Sequence, residues 1–113
     1  YTLEFVGSAD VYKRQAIADE DYGAFDEARL VGVMAVKDEG KHISLFFIRE
    51  EYHRKGIGRR LFDAFIEETS VPEMTVNSST YAVPFYKSLG FEQVKEPQIT
   101  NGLKYVPMKR EIK

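Results

Sequence analysis

The chain has 113 residues, 43% of them hydrophobic and 13% aromatic, which suits one domain with a real core and leaves little room for a second. A net charge of −2 argues against a general nucleic-acid binder, whose affinity comes mainly from neutralising phosphates. The lack of cysteine removes disulfides, thiolate metal sites and cysteine nucleophiles, and two histidines far apart give no metal signature.

Residues 1–15 look unlike the rest. The chain does not begin with methionine, and Asp10-Val11-Tyr12-Lys13-Arg14-Gln15 is similar to the translated end sequence of a transposon used to prepare sequencing libraries. Residues 1–15 are therefore read as a non-native segment, against the plainer alternative of a native strand or helix; Tyr1 to Val6 alternates weakly. On that reading the domain comprises residues 16–113 and is incomplete at its N-terminus.

Tyr22 to Phe25 suggests a short strand, closed by a turn at Asp26-Glu27. Arg29 to Lys37 reads as a strand built on Leu30, Val31, Val33 and Val36, with Gly32 as a weak point or bulge. Asp38-Glu39-Gly40 is a hairpin turn. His42 to Ile48 is nearly all apolar, the pattern of a central strand covered on both faces. Ile57 to about Thr69 predicts a helix with Ile57, Leu61, Phe62, Phe65 and Ile66 on one face, ended by Val71-Pro72. Met74 to Asn77 is a short strand. Ser79 or Thr80 can cap the next helix, Pro84 fits its first turn, and Gly90 ends it. Phe91 to Val94 and Leu103 to Lys109 read as a hairpin, with a turn at Asn101-Gly102. These elements predict an α/β (α+β) fold: a mixed, mostly antiparallel sheet with helices on both faces. No apolar run approaches the ~20 residues that cross a bilayer and no signal peptide is visible, so no membrane partner and a cytoplasmic location are expected.

The richest stretch is His53-Arg54-Lys55-Gly56-Ile57-Gly58-Arg59-Arg60, at a strand-to-helix junction. Two glycines there let the backbone turn tightly and approach a ligand. The N–H groups opening the helix lack intrahelical partners, and the helix dipole adds positive character, so the junction suits phosphate. Alone, the same residues serve equally well as a plain turn with a solvated basic face. Neither the Walker loop nor the three-glycine dinucleotide fingerprint fits the spacing.

A second motif, Tyr81-Ala82-Val83-Pro84-Phe85-Tyr86-Lys87-Ser88-Leu89-Gly90-Phe91, follows in order after Met74-Thr75-Val76-Asn77. Together the two resemble the GNAT family of acyl-CoA-dependent N-acyltransferases, over roughly residues 29 to 109. The family has a Gln/Arg-x-x-Gly-x-Gly/Ala loop opening one helix and a Phe-Tyr-x-x-Leu-Gly-Phe segment closing another.

The resemblance implies transfer of an acetyl group from acetyl-CoA to a primary amine of a small molecule or peptide, by direct attack and without a metal. The backbone N–H groups of Arg54, Lys55, Gly56, Ile57 and Gly58 would hold pyrophosphate, with Arg59 close behind. His53 stands where Gln or Arg is usual, and Arg60 is read as solvated surface. Main-chain groups of Phe46, Phe47 and Ile48 would pair with pantetheine. Tyr86 would protonate the departing thiolate, a fitting task because phenol and thiol have neighbouring pKa values. Otherwise it is one more packed aromatic. His42 matches the position of a glutamate base in histone-acetylating members, and imidazole titrates near neutrality. Otherwise it is an exposed histidine at a strand edge. Glu50 and Glu51 read as a polar strand exit, and Ser79 stands where the family often has Asn. A homodimer is among the assemblies implied. Two other readings stay open: a GNAT-like module that holds CoA without turnover, and a phosphate-binding interaction domain unrelated to CoA.

Overall fold

The computed structural model describes the backbone of residues 2–6, 9–15 and 20–112 and the side chains of 21–112. Its strands are β1 (Thr2–Val6), β2 (Ala9–Gln15), β3 (Glu20–Asp26), β4 (Arg29–Lys37), β5 (His42–Ile48), β6 (Glu73–Ser78), β7 (Glu92–Gln93), β8 (Gln98–Thr100) and β9 (Leu103–Glu111). The helices are α1 (Ile57–Glu68) and α2 (Val83–Ser88), with a 3-10 turn at Glu50–Tyr52. The strands lie in the order β1-β2-β3-β4-β5-β6-β9-β7, with β8 also on β9. Every pairing is antiparallel except β5 with β6. This is the mixed, mostly antiparallel α/β architecture that the sequence pattern predicts, except that among the described residues α1 and α2 lie on one face of the sheet rather than on both.

Residues 1–15, set apart in the sequence, supply the backbone of β1 and β2, which extend the sheet beyond β3. Their side chains lie outside the described residues.

Local chemistry explains most element ends. Asp38, Glu39 and Gly40 all take positive φ in the β4–β5 turn, as Asn101 and Gly102 do between β8 and β9. The Asn101-Gly102 turn thus joins a short extra strand, β8, to β9, while β7 pairs further along the same strand. The Ser79 hydroxyl accepts from the Ala82 N–H at 3.1 Å, just before α2, and Pro84 falls in the helix's first turn.

One face of the sheet carries Tyr22, Ala24, Met34, Val36, Ile43, Met74, Val76, Val106 and Met108, all buried. Against it α1 packs Ile57, Leu61, Phe62 and Phe65, also buried. Each such large apolar side chain contributes about 1.5–3 kcal/mol by leaving water. Phe62 meets Phe91 edge-on at 5.7 Å, closing α1 over the end of α2.

The apolar run of β5 suggests a strand covered on both faces, and the structure corrects this. Val36 pairs with Ile43 and Ala35 with Leu45, so Ser44 is an unpaired bulge. The bulge switches the side-chain alternation. Ile43, Phe46 and Ile48 turn to the helix side, while His42, Leu45 and Phe47 turn to the other. Leu45 and Phe47 are 51% and 54% exposed there. The strand is therefore apolar on both faces without being buried on both.

Candidate active site

The parallel pairing of β5 with β6 is confined to His42↔Thr75 and Ile43↔Val76. From Ser44 onward the two strands diverge, leaving one edge of β5 without a strand partner. Antiparallel ladders point alternate residues toward and away from the neighbour. The Arg49 N–H donates to the Val31 carbonyl at 2.8 Å, so Arg49, Phe47 and Leu45 direct their main chain at β4. The free edge therefore belongs to Phe46 and Ile48. Phe47, expected beside them, has its main-chain groups committed to β4. The Ile48 carbonyl is also within 2.9 Å of His53 Nε2.

Beyond β5, the chain passes through the 3-10 turn into the glycine loop. Arg54 and Gly56 take φ of 64° and 79°, and Gly56 stands at the helix start with no side-chain cap. The first α1 hydrogen bond runs from the Arg60 N–H to the Gly56 carbonyl. Among the described residues, no acceptor takes the N–H groups of Arg54, Lys55, Gly56, Ile57, Gly58 or Arg59. Unpaired N–H groups at a helix N-terminus favour an anion. A phosphorylated ligand fits this donor set.

The two glycines differ. Around Gly56 an added Cβ would meet nothing within 4 Å, and only its positive φ demands glycine. Gly58 is buried, and a Cβ there would come 2.8 Å from Phe85 Cζ. Close helix packing therefore accounts for glycine at this position, while its N–H stays in the unpaired donor set. The basic side chains also divide. Arg59 donates to the Ser88 carbonyl at 2.5 Å, tying α1 to the end of α2. Lys55 stands 5.6 Å over the Tyr52 ring, and Arg60 is exposed.

Tyr86 sits in an aromatic cluster with Phe46, Phe85 and Phe91, at centroid distances of 6.1, 5.4 and 5.7 Å. It is 6% exposed, and burial raises its pKa to about 12. Among the described residues its hydroxyl has no hydrogen-bond partner, and its oxygen is not sealed from solvent. A protonated donor without a hydrogen-bond partner among the described residues thus packs against Phe46, whose main chain faces the open edge of β5.

His42 lies at the other end of the strand, roughly 12 Å from Phe46 by the rise of an extended chain. Its Nδ1 is 2.7 Å from Thr75 Oγ1, and that hydroxyl lies 3.4 Å from the Lys41 carbonyl. With the Thr75 proton on Lys41, the imidazole donates through Nδ1 and keeps its Nε2 lone pair. Burial lowers the His42 pKa below 6.5, Lys37 adds to this and Asp38 opposes it. Burial thus favours the neutral ring. Thr75 also lines a cleft of about 360 Å³ with Asn77, Gln98 and Tyr105.

A family model described as "Acetyltransferase (GNAT) domain" matches residues 3–112. The chain belongs to the GNAT family. It is 34% identical over 58 residues to an uncharacterised N-acetyltransferase of Escherichia coli K12, YafP, covering 51% of this chain and 37% of that protein. Among solved structures it resembles a GCN5-related N-acetyltransferase of Rhodopseudomonas palustris (TM-score 0.72, 21% identity, 82% of this chain and 61% of the other). It also resembles a GNAT acetyltransferase of Staphylococcus aureus Mu50 (TM-score 0.70, 18% identity, 84% and 69%). A third is the ribosomal-protein-S18-alanine N-acetyltransferase of E. coli (TM-score 0.70, 18% identity, 87% and 72%). The chain thus spans about a third of the curated relative and roughly two thirds of the solved structures.

Within this GNAT domain, several residues matter that their motifs did not single out. Thr75 orients His42, and Phe85 sets the position of Gly58; only the register and the helix crossing bring these pairs together. Glu51 is engaged by Arg29 at 2.8 Å, and its own backbone N–H holds its pKa down first of all, with Arg29 adding to this. Ser79, expected to cap α2, accepts instead from the Ala82 N–H in the turn before it, and Ala82 stands at the helix start with no side-chain cap. Among the described residues no helix is long and apolar enough to cross a membrane, and no acidic or histidine cluster could hold a metal.

Proposed function

We propose that this domain transfers an acetyl group from acetyl-CoA to a primary amine of a small molecule or peptide. The observation that carries the proposal is the run of unpaired N–H groups from Arg54 to Arg59, placed where the free edge of β5 ends beside Tyr86. A pyrophosphate fits the loop, and an extended amide-bearing arm fits the edge presented by Phe46 and Ile48. Acetyl-CoA supplies the activated thioester when bound. His42 Nε2 takes a proton from the incoming ammonium, directly or through water. Tyr86 gives its proton to the departing sulfur, and the phenol regains one from solvent. Burial raises a thiolate's pKa as it raises the phenol's, so the two remain matched. The acceptor amine is assigned to the cleft lined by Thr75, Asn77, Gln98 and Tyr105, which begins at the hydrogen-bond partner of His42.

Release of free thiol from acetyl-CoA, measured over a panel of amines, tests the reaction. Calorimetry with CoA against inorganic pyrophosphate tests the site. Amine-dependent thiol release together with tighter binding of CoA than of pyrophosphate is expected. Equal affinity for both would reduce the site to a phosphate loop. A second reading, CoA held without turnover, is favoured by the half-exposed Leu45 and Phe47 beside His42, which enclose an acceptor poorly. CoA binding without thiol release for any amine would establish it.

A further inference from the structure

The segment from Arg49 to Lys55 delivers the chain from β5 into the anion loop, and its contacts run back onto the β3–β4 hairpin. The Tyr52 hydroxyl donates to Asp26 Oδ2 at 2.5 Å. Arg29 Nη2 donates to Glu51 Oε2 at 2.8 Å. Arg49 donates through Nε to the Leu30 carbonyl and through its backbone N–H to the Val31 carbonyl, both at 2.8 Å. Asp26 and Arg29 are the paired residues that close the hairpin, and with Tyr52 they line a hollow of about 600 Å³. Lys55 lies over the same Tyr52 ring.

The hairpin itself gains little from these contacts. Its register is already set by the β3–β4 ladder, and Arg29 and Glu51 are about half exposed, where an ion pair contributes little to stability. The loop gains much more. Arg54 is held at φ 64°, a region costly for a residue with a side chain. Such a conformation persists only where the surroundings over-determine it. Within His53–Gly56, the described contacts that do so are the His53 N–H to the Glu50 carbonyl, the His53 ring to the Ile48 carbonyl and Lys55 over the Tyr52 ring. The fixed point just upstream is Tyr52. Its hydrogen bond to Asp26 leads the causes that raise its pKa, so the phenol stays a donor across the working range.

We propose that the Tyr52–Asp26 hydrogen bond, backed by Arg29–Glu51, is a latch that sets the Arg54–Gly58 loop in its anion-binding shape before ligand arrives. The proposal rests on the CoA reading above and deepens it by naming two positioning residues outside the motif. Without the latch, binding must also order the loop, and that cost falls on affinity for the pyrophosphate part alone.

The test uses the full chain with Tyr52→Phe, Asp26→Ala and Asp26→Asn, titrated calorimetrically with CoA and with pantetheine, which lacks the pyrophosphate. Tyr52→Phe keeps the ring and its packing, so its thermal midpoint should match the parent. Tyr52→Phe and Asp26→Ala should weaken CoA about fivefold, the scale of one partly exposed charge-assisted hydrogen bond, and leave pantetheine unchanged. Asp26→Asn, which keeps an acceptor oxygen, should recover most of the loss. Parental CoA affinity in Tyr52→Phe overturns the latch while leaving the CoA site standing. A parallel loss for both ligands also overturns it, because a general structural defect would do that. A parent chain that binds no CoA overturns the functional reading and the latch with it.

Discussion

Replacing Gly58 with alanine should damage the contact between α1 and α2 before it affects any ligand. The new Cβ would lie 2.8 Å from Phe85 Cζ and 3.0 Å from Cε1, closer than real Cβ contacts come. Phe85 must then move, and it packs edge-on against Phe46 at 5.2 Å and Tyr86 at 5.4 Å. Overpacking of this kind costs about 1–3 kcal/mol. Alanine's helix preference over glycine returns at most ~1 kcal/mol, and less in the first turn. The net loss is about 1–2 kcal/mol, or roughly 4–8 °C in thermal midpoint for a domain near this size. Circular dichroism melts measure it directly. Shortening the obstructing ring should relieve the strain, so Gly58→Ala with Phe85→Leu should be less destabilised than the sum of the single changes. Gly56→Ala is the contrast: its Cβ meets nothing, but φ 79° costs about 1–2 kcal/mol and distorts the loop, so CoA affinity should fall about tenfold. A Gly58→Ala variant with the parental midpoint, or strict additivity with Phe85→Leu, would refute the packing role.

Tyr86→Phe should lower kcat at least about tenfold while KM for acetyl-CoA stays within a factor of two, since the ring keeps its packing and only the proton donor goes; an unchanged kcat would return Tyr86 to the core alone. His42→Ala should remove an acidic limb from the rate profile, with its midpoint below 6.5 because burial favours the neutral imidazole. Activity rises with pH through that midpoint as the ring loses its proton. The same limb surviving in the variant would show that the acceptor's proton leaves by another route.

Much of this architecture was legible because local chemistry and tertiary packing agree. The stripe Ile57, Leu61, Phe62, Phe65 has a helical period, and all four are buried under one sheet face. Asp38-Glu39-Gly40 and Asn101-Gly102 name their own turns. The run of unpaired N–H groups from Arg54 to Arg59 was legible for the same reason, since it belongs to the backbone and glycine advertises it. What stayed hidden depends on residues far apart in the chain. Nothing in Gly58 itself distinguishes room for a ligand from room for Phe85. Nothing in Phe47 says which edge its main chain faces until the partner register is known. Tyr52 and Asp26, 26 positions apart, carry no motif at all.

The bulge at Ser44 has the largest consequence for chemistry. Without it, strict alternation along β5 would put His42 on the same side as Phe46 and Tyr86. With it, His42 turns to the face of Thr75 and the open cleft, while Phe46 turns to the helix side, where Tyr86 of α2 packs against it. On the proposed reading, the base His42 and the acid Tyr86 then flank the splay between β5 and β6 from opposite faces. On that reading the amine sheds its proton on the face of the cleft and the sulfur gains one on the face of the helices. His42 and Phe46, the β5 residue that Tyr86 packs against, lie roughly 12 Å apart along the strand, so the Tyr86 and His42 substitutions should multiply in their effects on kcat rather than overlap.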